Sequence, residues 1–144
     1  MTRDDFAAYV AAFNRNDYLG FGRWYHDDII VELPGRTLRG REAVLDFYRA
    51  VKARIRETLA IGQVVLDADG IAAELDTEFH CLADAPDFVV RPMLAGETIR
   101  LVSFVLYRLR DGRIAHIRSA RFRTPEAGHA RSARPPLGAS GDAR

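Results

Sequence analysis

Two Asp-Gly dipeptides, Asp69-Gly70 and Asp111-Gly112, each sit between runs rich in β-branched and aromatic residues. Aspartate and glycine tolerate the left-handed backbone that tight turns demand, so Asp-Gly between two such runs signals a hairpin. The flanking segments read as antiparallel strands over about residues 58–68 with 71–82, and 97–109 with 113–123. The second half of the chain is therefore a four-stranded meander. Its one long connection, Ala83 to Gly96, carries Pro86 and Pro92 and reads as a structured loop able to cover a cavity.

The first half carries a different period. Phe6, Tyr9, Val10 and Phe13 recur at helical spacing over residues 3–14, and Thr2 with Asp4 and Asp5 suits a helix start. A second helix is expected over 17–26, burying Tyr18, Phe21, Trp24 and Tyr25. The run Ile29-Ile30-Val31-Glu32-Leu33 reads as a strand closed by Pro34-Gly35, with a short extended arm at 36–39. A third helix is expected over 41–57. Val44, Leu45, Phe47, Tyr48, Val51 and Ile55 form its apolar side, and Arg49, Lys52, Arg56 and Glu57 its back. Helices first and antiparallel strands later is an α+β order: three N-terminal helices against a curved, mostly antiparallel sheet. Residues 1–123 make up this domain, and 124–144, small, polar and Pro/Gly-rich, read as a flexible tail.

Charge excludes several partners. Of 144 residues, 21 are Lys or Arg and 20 Asp or Glu, a net charge of +1, which gives no reason to expect nucleic acid or an anionic membrane. The single cysteine, Cys81, permits no intrachain disulfide, and the opening MTRDDFAAYV lacks the apolar run of a signal peptide. No stretch approaches the ~18 to 20 apolar residues of a membrane span. A cytoplasmic location is the expectation. Four scattered histidines and one cysteine show no ligand spacing, so neither a metal nor another cofactor is expected. Gly20 and Gly22 lack the third glycine and the preceding strand of a nucleotide loop.

Four segments in order carry a resemblance. Tyr9-Val-Ala-Ala-Phe-Asn-Arg-Asn-Asp17, Trp24-Tyr-His-Asp-Asp-Ile-Ile-Val-Glu32, Gly40-Arg-Glu-Ala-Val-Leu-Asp-Phe-Tyr48 and Asp111-Gly-Arg-Ile-Ala-His-Ile-Arg118 resemble the NTF2-like superfamily, in its SnoaL-like and ketosteroid-isomerase-like branch. The match spans about residues 3–123. The resemblance implies a cone-shaped barrel, commonly dimeric, around a deep apolar cavity. It does not imply one reaction, since relatives include isomerases, polyketide cyclases, lyases, epoxide hydrolases and pure binders.

It also implies site positions. Tyr9 matches the first-helix tyrosine that holds a developing enolate oxygen in ketosteroid isomerases, against the alternative of a core tyrosine. The general base of those isomerases falls on Leu33 here, and their second, acidic oxyanion donor falls near Val105. The last-strand acid of many cyclase relatives meets Ile117-Arg118-Ser119. Each expected carboxylate is missing, which speaks against the usual steroid-isomerase chemistry and for a lyase or cyclase.

Strand alternation supplies the remaining candidates. In 71–82 the odd set, with Thr77, Phe79 and Cys81, should face inward, and His80 outward. In 97–109 the family analogy puts Ser103, Val105 and Tyr107 on the pocket side. The apolar Val102, Phe104 and Leu106 face is then left to a second subunit, which predicts a homodimer. The last hairpin offers two registers. A bulged turn pairs Leu109 with Arg113 and sends Ile117 and Ser119 inward. A two-residue turn pairs Arg110 with Arg113 and sends His116 and Arg118 inward. The bulged turn suits the sequence better.

His26, between Trp24-Tyr25 and two acids, is either a base at a pocket mouth or a helix-end histidine. In the loop, Asp84, Asp87 or Arg91 could lend a polar group to the pocket. The expected pocket is aromatic, from Phe13, Trp24, Tyr25, Phe47 and Phe79, with Tyr9, Tyr107, His116 and His26 as the catalytic candidates. A small, apolar, cyclic or aromatic substrate turned over by cofactor-free proton transfer fits this set. A non-catalytic ligand-binding or dimeric interaction module is the rival.

Overall fold

The computed structural model describes residues 1–124. The segment read as a tail lies almost wholly outside the described residues.

Helix α1 (Arg3–Asn14) starts on a reciprocal cap. The Asp5 amide donates to Thr2 Oγ1 at 3.1 Å, and the Thr2 amide donates to the Asp5 carboxylate at 2.7 Å. Helix α2 (Tyr18–Gly22) is a single turn capped by Asp17. The expected longer helix fails here because β1 (Tyr25–Leu33) starts early and takes Tyr25 into the sheet. The short arm pairs with it as β2 (Arg36–Arg39). Helix α3 (Arg41–Lys52) ends five residues before the expected position, and β3 (Ile55–Leu66) begins at once. The meander follows as β4 (Gly70–Cys81), β5 (Thr98–Arg110) and β6 (Arg113–Arg123).

These strands form one curved six-stranded sheet in the order β2-β1-β6-β5-β4-β3. All neighbours are antiparallel except β1 and β6, which run parallel. The early strand thus joins the edge of the last one, and the helices fill the concave side. Phe6, Tyr9, Val10 and Phe13 of α1, Val44 and Leu45 of α3, and Ile71, Ala73 and Leu75 of β4 are buried together there. At the other end a smaller apolar cluster joins Ile55, Phe79 and Leu101 to Phe88 and Met93 of the Ala83–Gly96 loop.

The last hairpin combines the two expected registers: the pairing of the two-residue turn at its tip, and the inward set of the bulged turn beyond it. Arg110 pairs with Arg113, so Asp111-Gly112 is a two-residue turn, with φ of 53° and 73°. Ala115 is then skipped as a one-residue bulge, and Arg108 pairs with His116 and Tyr107 with Ile117. The bulge undoes the side-swap that the tight turn imposes. Ile117 and Ser119 face the concave side after all, and His116 faces away.

Candidate functional site

Between the helices and the concave sheet lies a cavity of about 140 Å³. Its walls come from Tyr9 and Phe13 of α1, Leu33 of β1, Phe47 and Tyr48 of α3, and the inward residues of β3 to β6. Most of the expected pocket residues converge on it: Tyr9, Phe13, Leu33, Phe47, Thr77, Phe79, Ser103, Val105, Tyr107, Ile117 and Ser119 all line it. Phe88, Val89 and Val90 of the long loop close one side.

Five expected residues lie elsewhere. Trp24 stays half-buried beneath the Arg23 guanidinium, because α2 ends before it and turns it away from the hollow. Tyr25 is fully buried behind the wall and reaches the cavity only through its hydrogen bond to Tyr9. Cys81 belongs to the smaller cluster, its thiol donating to the Ala83 carbonyl at 3.1 Å. His116 sits outside the sheet, 2.6 Å from the Glu32 carboxylate. His26 is held by the Arg110 carbonyl at the start of β1, beside the β5–β6 turn, so it is neither a mouth base nor a helix-end residue. The polar loop candidates are also spent locally. Asp84 caps the Ala95 amide, Asp87 pairs with Arg54 at 2.7 Å, and Arg91 pairs with Glu97.

The pattern of the sequence hid the one carboxylate that lines the cavity among the described residues. Glu57, expected on the solvated back of α3, stands three residues inside β3 and faces inward opposite Phe79. It is only partly exposed and is surrounded by protein, and this desolvation pushes its carboxyl up to about 7, against a smaller opposing pull from Lys52. Lys52, also expected in solvent, is buried. Its ammonium donates to the Phe13 carbonyl at 3.1 Å and the Glu57 carbonyl at 3.4 Å, and it lies 3.9 Å from the Phe13 ring centroid. It ties the end of α1 to the start of β3, and so fixes where Glu57 stands.

Three phenols share the cavity with Glu57. Burial is the main reason that Tyr9, Tyr48 and Tyr107 all ionise well above the ordinary tyrosine range, and the nearby Glu57 charge adds to it. Each therefore stays protonated and can donate. Tyr9 Oη lies 2.9 Å from Tyr25 Oη. Among the described residues no hydrogen bond reaches the Glu57 carboxyl or the Tyr48 and Tyr107 hydroxyls, and no buried side-chain polar atom is left unsatisfied. Those three groups therefore keep contact with the open cavity. One acid able to carry a proton near neutral pH, surrounded by neutral donors in an apolar hollow, can remove a proton and hold the charge that results.

A sequence model described as the SnoaL-like domain matches residues 6–117. The chain belongs to the SnoaL-like family. Solved structures agree with this. A candidate polyketide cyclase from Pseudomonas putida KT2440 is 28% identical, with a TM-score of 0.71 over 81% of this chain and 87% of that one. A SnoaL-like polyketide cyclase from Agrobacterium tumefaciens C58 is 21% identical, with a TM-score of 0.69 over 84% and 92%. An LEH-like epoxide hydrolase of M. tuberculosis, 16% identical, superposes with a TM-score of 0.66 over 82% and 80%. The last two likenesses speak for the NTF2-like fold alone. Comparison with curated proteins gives no match. No described helix is long and apolar enough to cross a membrane.

Proposed function

We propose that this SnoaL-like protein is an enzyme of the lyase, cyclase or isomerase type. It acts by proton transfer on a small apolar cyclic or aromatic substrate, with Glu57 as its base and then its acid. The observation that carries this reading is the Glu57 carboxyl on the cavity wall, with a pKa pushed up to about 7. A base poised near the working pH combines a useful fraction of carboxylate with enough basicity to take a proton from carbon. Leucine replaces the acid on β1, and the acid stands instead on β3, across the cavity.

The common step is removal of a proton from a carbon beside a carbonyl. The proton passes to Glu57, and the electron pair moves into an enolate whose oxygen accepts hydrogen bonds from Tyr107 and Tyr9. Protonated Glu57 then returns the proton. Delivered to another carbon, it isomerises the substrate. Delivered to a departing hydroxyl, it releases water. Delivered to the alkoxide formed when the enolate carbon attacks a second carbonyl, it closes a ring.

A substrate-independent test uses 5-nitrobenzisoxazole. A base that takes its ring C–H proton breaks the N–O bond and leaves a yellow cyanonitrophenolate. The protein should catalyse this with a rate rising through an apparent pKa of about 7, and Glu57→Gln should lower the rate at least about a hundredfold. Wild-type protein that accelerates it no more than Glu57→Gln does would favour a non-catalytic ligand binder.

We also propose a homodimer through the outer face of the sheet. Phe104, Leu106 and Phe122 are each about half exposed there, with the two phenylalanine rings 4.7 Å apart, whereas Val102 is buried and takes no part. Glu74 and Glu78 on β4 and Arg108 and Arg118 on β5 and β6 flank this strip, while Asp76 between the two acids is held by Arg100. A two-fold axis through β5 would set the acids of one copy over the arginines of the other.

A further inference from the structure

Among the described residues the cavity wall carries a single cation, Arg121, an exposed residue at its mouth on β6, well separated in register from Glu57. Past the bulge at Ala115 the odd residues of β6 face inward, so alternation brings Arg121 to the concave side with Ile117 and Ser119. Its cross-strand partner is Ser103, and Ser119 pairs with the neighbouring inward residue Val105. Among the described residues, none of the ion pairs includes Arg121. The Ser103 and Ser119 hydroxyls likewise have no hydrogen-bond partner among them. Several other arginines are unpaired among the described residues too, Arg56, Arg108 and Arg118 included, but Arg121 is the one that lines the cavity. A guanidinium and two hydroxyls beside one another at the rim of an apolar hollow form a donor set with no acceptor of its own.

We infer that the pocket takes a carboxylate-bearing substrate, whose acid group rests on Arg121, Ser103 and Ser119 at the rim while its apolar ring lies inside toward Glu57. A planar carboxylate can accept two parallel N–H donors from guanidinium, which fixes orientation as well as position. The ring then contacts Phe13, Phe79 and Leu75, and the polar end stays near water, so the carboxylate is not fully desolvated. The inference rests on the reading of this hollow as a substrate pocket. It adds what anchors the substrate at the end away from the proton-transferring acid.

The test is calorimetric binding of cinnamate and of its neutral amide, at about pH 6, a unit below the Glu57 carboxyl at about 7. Wild-type protein should bind cinnamate at least about tenfold more tightly than cinnamamide. Arg121→Met should bring the two within about twofold of each other by weakening cinnamate alone. The double change Ser103→Ala with Ser119→Ala should weaken cinnamate by about threefold. Equal binding of acid and amide by wild-type protein, or an undiminished preference in Arg121→Met, would overturn the inference. Glu57→Gln should keep the preference, so this result stands or falls apart from the elimination assay. Failure of cinnamate and cinnamamide alike to bind both wild-type protein and Glu57→Gln would overturn it together with the pocket reading.

Discussion

Tyr9 Oη and Tyr25 Oη lie 2.9 Å apart, one on the cavity wall and the other behind it. When Tyr25 donates to Tyr9, the Tyr9 proton is left to point into the cavity, and both donors are used. Tyr25 is thus a positioning residue for Tyr9. Tyr9→Phe should slow the benzisoxazole elimination about tenfold, and Tyr25→Phe less. The double variant should be no slower than Tyr9→Phe, because Tyr25 acts through Tyr9. Independent, multiplying losses would contradict this arrangement.

The raised Glu57 carboxyl makes stability depend on pH. Its folded pKa of about 7 lies above the unfolded value of about 4.5, so the folded protein holds a proton that the unfolded chain releases. The contribution is complete below the unfolded value and is lost as pH rises through the folded one. Urea unfolding should therefore show stability falling between about pH 4.5 and 7, by on the order of 2 kcal/mol once cavity water is allowed for. Glu57→Gln should remove this slope and be the more stable protein at about pH 8. A slope unchanged in Glu57→Gln would place its origin elsewhere.

The two histidines most tempting in the sequence should be idle in catalysis. His116 faces Glu32 on the outer side, and His26 is held by the Arg110 carbonyl. His116→Gln and His26→Gln should each change the elimination rate by less than about twofold, whatever they cost in stability. A tenfold loss in either would require a route from that histidine to the cavity.

The outer apolar strip gives the oligomer prediction. Sedimentation should find a dimer for wild-type protein. Phe104→Glu, which puts a charge at the centre of the strip, should give a folded monomer with an unchanged circular dichroism spectrum. A wild-type monomer, or a Phe104→Glu dimer, would contradict the proposed face.

The sequence carried the strands of the meander and the inward sets of β4 and β5, because period-two alternation survives wherever one face is buried. It did not carry the end of α3. Val51 and Ile55 continue the helical period, so the apolar stripe appeared to run on and carried Glu57 to the solvent side. The strand signal was present but short: Ile55, Glu57 and Leu59 alternate with Arg56 and Thr58, and a carboxylate fills a slot that should be apolar. A charged residue in an inward slot is a local inconsistency of the kind that marks a site. The inward turn of Ile117 was reached for the wrong reason. The bulge expected at the turn lies instead at Ala115, two residues past the start of β6, where no turn residue marks it in the sequence. Lys52 was hidden in another way, since the ring and carbonyls that receive its ammonium come from residues distant in sequence.

A ¹³C NMR titration of the Glu57 side-chain carboxyl, assigned by its loss in Glu57→Gln, tests the central claim most directly. The account predicts a midpoint of about 7, displaced when a ligand fills the cavity. A midpoint in the ordinary glutamate range, about 4.3, would mean a solvated carboxylate with no special place in the chemistry of this fold.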